Sequence, residues 1–221
     1  MSAPDSSAPQ LADDVARLVR RRIFDGTYPA GKYVRLEQLA AELGISVTPV
    51  REALFGLQAE GLLTQQPRRG FAVLPVTRRD IDDVAGVQGH IGGELAARAA
   101  AHITDDQIAE LERLQVQLED AHAQNDQDRA VRLNHEFHRG VNIAARSPKL
   151  AQLMSQITRY ALESVFPTVD GWAEQSMHDH RRVLTALRER DGESARTAMA
   201  EHLCAGAKPL IDHLAGLGVL E

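Results

Sequence analysis

Apolar residues recur three and four positions apart over most of this chain. Leu11, Val15, Leu18, Val19 and Ile23 share one helical face, and Asp25-Gly26 ends the run. After a turn at Tyr28-Pro29-Ala30-Gly31, the spacing of Leu36, Leu39, Ala40 and Leu43 predicts a short second helix, closed by Gly44 in a left-handed cap. Ser46 is a natural N-cap for a third helix, Pro49 is tolerated in its first turn, and Val50, Ala53, Leu54 and Leu57 form its apolar stripe up to Gly61. Leu62–Gln66 and Phe71–Leu74 have strand-like composition around Pro67-Arg68-Arg69-Gly70, which predicts a two-stranded hairpin with a basic tip. Beyond Pro75 the pattern is helical, with breaks near Thr104, Asn125, Ser147-Pro148, Pro167–Gly171 and Asp191-Gly192. That gives about six helices of roughly 15–25 residues, and with no βαβ alternation they imply a bundle.

The expected fold is therefore mainly α: a disordered Ser/Ala/Pro-rich lead-in over 1–9, a winged helix-turn-helix over 10–75, and an all-α bundle over 76–221. With 43% hydrophobic and only 4% aromatic residues, Leu, Ala, Val and Ile must fill the core. No stretch approaches the ~20 apolar residues of a membrane helix, and the first ten residues lack an apolar signal core. One cysteine, Cys204, excludes an intramolecular disulfide framework and suits a reducing compartment, so the expected location is cytoplasmic, with no membrane partner. Charge is divided unevenly. Residues 1–75 carry nine Lys/Arg against eight Asp/Glu; the remainder carries sixteen against twenty-three, and holds all nine histidines. A polyanion would meet this chain at its head only.

In the head, two short helices joined by Gly44-Ile45-Ser46 have the spacing of a helix-turn-helix. The second would offer Ser46, Val47, Thr48 and Arg51 to a major groove, and the Arg68-Arg69-Gly70 tip would reach an adjoining minor groove. The competing reading is a three-helix protein-interaction module with a charged hairpin. The run Leu39-Ala-Ala-Glu-Leu-Gly-Ile-Ser-Val-Thr-Pro-Val-Arg-Glu-Ala-Leu54, followed by Leu57, Glu60-Gly61-Leu62 and Arg69-Gly70, closely resembles the winged helix of GntR-family transcriptional regulators. The resemblance implies that Arg35, Ser46, Thr48, Arg51, Arg69 and Gly70 lie at the DNA. Val47 stands where many members place Arg; a valine there offers a methyl contact to thymine instead.

In the bundle, Asn134 and His138 are four apart on a predicted helix and so share a face. His180 keeps company with Leu184 and Leu187, and His202 follows Met199 by one turn, so these rings point inward. Three imidazoles and an amide oxygen converging in a core suit a divalent transition metal with open positions, zinc first and nickel or manganese as alternatives. Each histidine taken alone is more often a satisfied core or surface residue. Asn134-His-Glu-Phe-His138-Arg, Asp179-His180-Arg-Arg-Val-Leu-Thr-Ala-Leu187 and Met199-Ala-Glu-His202 resemble the FCD domain, the fatty-acid-responsive class of GntR C-terminal domains. That resemblance implies a metal held by Asn134, His138, His180 and His202, with a small carboxylate effector completing the shell. It departs in two places. Asn134 supplies a neutral oxygen where an aspartate is usual, which lowers metal affinity and raises dependence on an anionic effector; His90 stands where an arginine often anchors the carboxylate, while Glu94 matches.

Together these features describe a ligand-responsive DNA-binding regulator, a repressor by the usual direction of effector action. It would be a homodimer on a palindromic double-stranded operator. Two alternatives stand beside it: the same DNA-binding protein with a metal-free or purely structural histidine cluster, and a metal-dependent hydrolase. The hydrolase lacks a paired base in a His-Glu-x-x-His motif, because Glu136 faces away from the Asn134/His138 stripe.

Overall fold

The computed structural model describes residues 8–158 and 171–220, which form ten helices and three short strands. The expected lead-in and the break at Pro167 lie outside the described residues, apart from Ala8 and Pro9, which belong to the first helix. The chain divides into two compact units. One takes the chain up to Arg78 and again from Leu214; the other is Arg79–His213. The sequence had assigned the final residues to the bundle. In the structure Val76 bridges to Leu220, and Val219 lies 3.4 Å from where a Cβ on Gly26 would stand.

In the first unit, α1 (Ala8–Phe24) packs on α3 (Val47–Ala59), with α2 (Leu36–Leu43) beside α3. Val15, Val19 and Ile23 on α1 and Val50, Leu54 and Leu57 on α3 are buried, the stripes the periodicity picked out. Arg20, itself buried, donates to both carboxylate oxygens of Glu60 at 2.7–2.8 Å and ties α1 to the end of α3. Gly44 ends α2 with φ +67, and Ser46 starts α3 without a side-chain capping hydrogen bond.

The hairpin is present, as β2 (Leu63–Gln66) and β3 (Gly70–Val73), but a third strand joins it. β1 (Tyr33–Val34) pairs antiparallel with β3, giving the order β1-β3-β2. Two residues are too short to show an alternating pattern, so only their partner reveals them. Gly70 is needed at that seam: its φ is +98, and a Cβ there would sit 2.6 Å from the Val34 carbonyl oxygen.

The second unit contains α4 (Arg78–His102), α5 (Asp105–Ala123), α6 (Gln127–Ala144), α7 (Pro148–Thr158), α8 (Trp172–Arg188), α9 (Gly192–Ala205) and most of α10 (Ala207–Gly216). Thr104 and Gln107 form a reciprocal capping box on α5, and Asp191 caps α9 through the N–H groups of Glu193 and Ser194. There are seven described helices rather than about six, because the run expected from Ala195 to Leu214 breaks at Gly206. Pro209 has no N–H to bond the Ala205 carbonyl, so the chain starts a new helix with proline in its first turn. Leu95, Ala99, Leu111, Leu118, Phe137, Val141, Val183 and Leu187 centre the core. α4 meets α9 closely. A Cβ on Gly93 would be 2.8 Å from the Arg196 carbonyl oxygen, and one on Gly89 would be 2.6 Å from Cys204 Sγ.

Candidate nucleic-acid interface and metal centre

Buried Pro49 and Val50 turn the other side of the first turns of α3 outward. Ser46, Thr48 and Arg51 are exposed there and Val47 is half-buried. Arg35 is exposed as the N-cap of α2. At the hairpin, exposed Arg69 lies over the Tyr33 ring, 5.8 Å from its centroid, and its Nη1 donates to the Tyr33 hydroxyl at 3.3 Å. Half-buried Gly70 is accounted for by the Val34 carbonyl. Exposed hydroxyls and guanidinium groups on a helix start and a wing are the donors that phosphates and base edges accept from.

In the second unit, His138 comes from α6, His180 from α8 and His202 from α9. Ligand-capable nitrogens of all three lie within 4.8 Å of one another. His180 and His202 are buried, at 0% and 3% exposure, and His138 is half-buried. The Nε2 atoms of His138 and His202 are 3.3 Å apart. Phe137 stacks on His180 at 4.1 Å between ring centroids, and Trp172 lies over His202 at 6.2 Å. Asn134 stands one turn before His138 on α6, half-buried, so the helical repeat puts its amide on that ring's side.

Burial, then the neighbouring His202 and His135, pushes His138 down from 6.5 to about 3. Burial, with His202, His138 and His122, holds His180 well below the usual imidazole value. The rings of His138 and His180 are therefore neutral, the form that ligates a metal. Two buried ring nitrogens lack a hydrogen-bond partner among the described residues, His180 Nε2 and His202 Nδ1. The donor set fits a cation: nitrogens about 2.1 Å from a tetrahedral metal are about 3.4 Å apart, close to the His138–His202 separation.

Sequence reasoning missed the residues behind the rings. Asp179, buried, places Oδ2 3.7 Å from His202 Nδ1 and accepts from Gln175 Nε2 at 3.0 Å. His202, opposed by burial and helped by Gln175, keeps the Asp179 carboxyl below the usual aspartate range. Gln115 on α5 reaches His180 Nδ1 at 2.9 Å. Its signal was readable: a glutamine in the stripe Ile108, Leu111, Leu114, Leu118 is a buried polar group that needs a partner. His90 and Glu94, which the resemblance sets at the effector pocket, both lie on α4. His90 is exposed on α4, and Glu94 is taken by Arg98, at 2.7 Å, and by Arg196.

A reader of duplex DNA joined to an all-helical sensor-like domain defines a class of transcriptional regulator. Residues 11–73 match the model of the gntR family of bacterial regulatory proteins, and residues 83–205 match that of the FCD domain. The chain belongs to the GntR family and carries an FCD domain, a combination of regulators rather than of enzymes. It is 27% identical over 190 residues to the HTH-type transcriptional regulator YdhC of Bacillus subtilis, covering 83% of this chain and 84% of that one. It is 28% identical over 200 residues to a probable D-xylose utilization operon transcriptional repressor of Paenarthrobacter nicotinovorans, covering 88% and 86%. The solved structure of E. coli McbR/YncC superposes with a TM-score of 0.71 at 24% identity, over 92% of this chain and 98% of that one, which supports the fold. No described helix is long and apolar enough to cross a membrane.

Proposed function

We propose that this DNA-binding regulator is a repressor whose helical domain holds a divalent metal at His138, His180 and His202, with Asn134 as a fourth donor, and responds there to a small carboxylate. The observation that carries this reading is the convergence of three imidazoles from three helices, two of them buried and the third half-buried. Two unprotonated Nε2 atoms 3.3 Å apart repel each other unless a proton or a cation lies between them. Zinc is the first candidate and nickel or manganese the alternatives, since imidazole and oxygen donors suit all three. A bound dication would polarise and attract an anion, and a ligand set without a carboxylate leaves its charge for the effector to balance.

The DNA contacts in this reading are Arg35, Ser46, Val47, Thr48 and Arg51 at the helix-turn-helix and Arg69 at the wing. A homodimer would place two such heads on a palindromic operator. Repression is supported by the name of the Paenarthrobacter relative, a probable operon repressor. Fluorescence anisotropy of the full-length protein on its own promoter duplex tests the scheme, with zinc, with chelator, and with zinc plus a panel of small carboxylates. The expected result is salt-dependent, sequence-selective binding that one carboxylate weakens by roughly 5–150-fold, a coupling of about 1–3 kcal/mol. Binding indifferent to zinc, chelator and every carboxylate would instead make the cluster a structural feature.

A further inference from the structure

A neutral imidazole offers one lone pair, so the nitrogen that keeps the proton decides whether a buried histidine is a ligand. At His180 that choice is made outside the cluster. Nδ1 lies 2.9 Å from the side-chain amide of Gln115, a residue only 3% exposed. An amide presents either oxygen or nitrogen to such a partner, and its other neighbours settle which. The other neighbour here is Glu119, one turn along α5, whose Oε1 accepts from Gln115 Nε2 at 2.8 Å. Glu119 is ion-paired to Arg181, which donates Nε at 3.0 Å and Nη2 at 2.8 Å. A carboxylate held by a guanidinium is an acceptor only, so the amide nitrogen must face it. The amide oxygen then faces His180, and an oxygen accepts only. Nδ1 carries the proton, and the bare Nε2 is the buried atom left without a hydrogen-bond partner.

We propose that Gln115 is a positioning residue for metal binding: held by Glu119 and Arg181, it fixes the Nδ1–H tautomer of His180 and so leaves Nε2 as a ligand facing His138 and His202. The role rests on reading the cluster as a metal site, although the hydrogen-bond chain itself does not. Gln88, the other buried glutamine of this unit, serves a different end, donating to the Ile157 carbonyl.

Two measurements on the full-length protein separate the parts. Long-range 1H–15N spectra of the metal-free protein, with His180 assigned from a His180→Gln variant, read the tautomer directly. The expected result is a protonated Nδ1 and a bare Nε2. Zinc competition against a chromophoric chelator then compares wild type with Gln115→Met, which keeps the volume and loses the acceptor, and with Glu119→Gln, which lets the amide turn over. Gln115→Met should lose affinity by roughly 10–100-fold, the usual effect of removing a partner behind a ligand, and Glu119→Gln should lose less. Circular dichroism should stay unchanged in both. A proton on Nε2 of His180 in the wild-type spectrum overturns the proposal, even if Gln115→Met fails to fold. So does a folded Gln115→Met variant with wild-type zinc affinity. Wild-type protein that takes up no zinc despite a bare Nε2 overturns the metal reading, and the ligand role with it, while leaving the Gln115 hydrogen bond in place.

Discussion

The histidine cluster makes two of its rings, His138 and His180, hard to protonate. In an unfolded chain these imidazoles titrate near 6.5, whereas in the folded protein His138 does so only at about 3 and His180 lies well below its usual value. Between those limits the unfolded chain binds protons that the folded one excludes. Stability of the metal-free protein is therefore fully present above pH 6.5 and falls as the pH drops, by about 1.4 kcal/mol per pH unit for each ring. Asp179 is depressed too, so its contribution fades only below roughly pH 4, where an unfolded aspartate begins to protonate. The window from 6.5 to about 4 belongs to the rings. Urea melts of chelated protein between pH 8 and 5 should show this decline, and a His138→Gln variant should flatten it; a pH-independent midpoint over that range would contradict it. In the head, Arg51→Ala should weaken operator binding by about 1–3 kcal/mol if it reads a base, or lower the salt dependence by about one unit if it meets a phosphate. A salt titration by anisotropy distinguishes the two.

Among the elements, β3 is the one least tolerant of change at its start. Gly70→Ala adds a carbon 2.6 Å from a backbone oxygen in a conformation that L side chains avoid. The variant should lose β1–β3 pairing and, with it, the seat of Arg69 on Tyr33. Amide exchange at Val34 and Phe71 should accelerate while α3 stays protected. Arg20→Met, which leaves the half-buried Glu60 without its partner, should cost the first unit about 1–3 kcal/mol, measurable by chemical denaturation. Much of this architecture could be read from the chain. Helical stripes, glycine and proline stops and the basic hairpin all lie in local sequence, and the three rings could be placed because each sits beside apolar residues at helical spacing. What local pattern does not carry is pairing between distant segments. Tyr33–Val34 is a strand only because Phe71 and Ala72 lie beside it. Gln115 and His180 are 65 residues apart, and Asp179 faces His202 from another helix. Gln115 could be recognised as a polar residue needing a partner, but its partner could not be named. Nor does correspondence by position say that the Glu94 carboxylate is held by Arg196 on α9.

For the whole molecule, the proposed function requires that occupancy of the Arg79–His213 unit alter the hold of the other unit on DNA. Removing metal with a chelator should therefore change both the melting temperature and operator affinity. A His202→Ala variant should abolish both responses while still binding the operator in one of the two states. If chelation lowers the melting temperature yet leaves affinity for DNA unaltered, the metal is a staple and not a signal. The arrangement of Trp172 makes the pocket observable without any label. It is the only tryptophan in the chain, and its indole lies over His202 at 30° between the ring planes. Indole emission, excited selectively beyond the absorption of the three tyrosines, thus originates at one wall of the cluster. Cobalt or nickel arriving at the rings should quench it, zinc should leave it bright, and the light lost per equivalent added would count occupied pockets in dilute solution, with or without a duplex present.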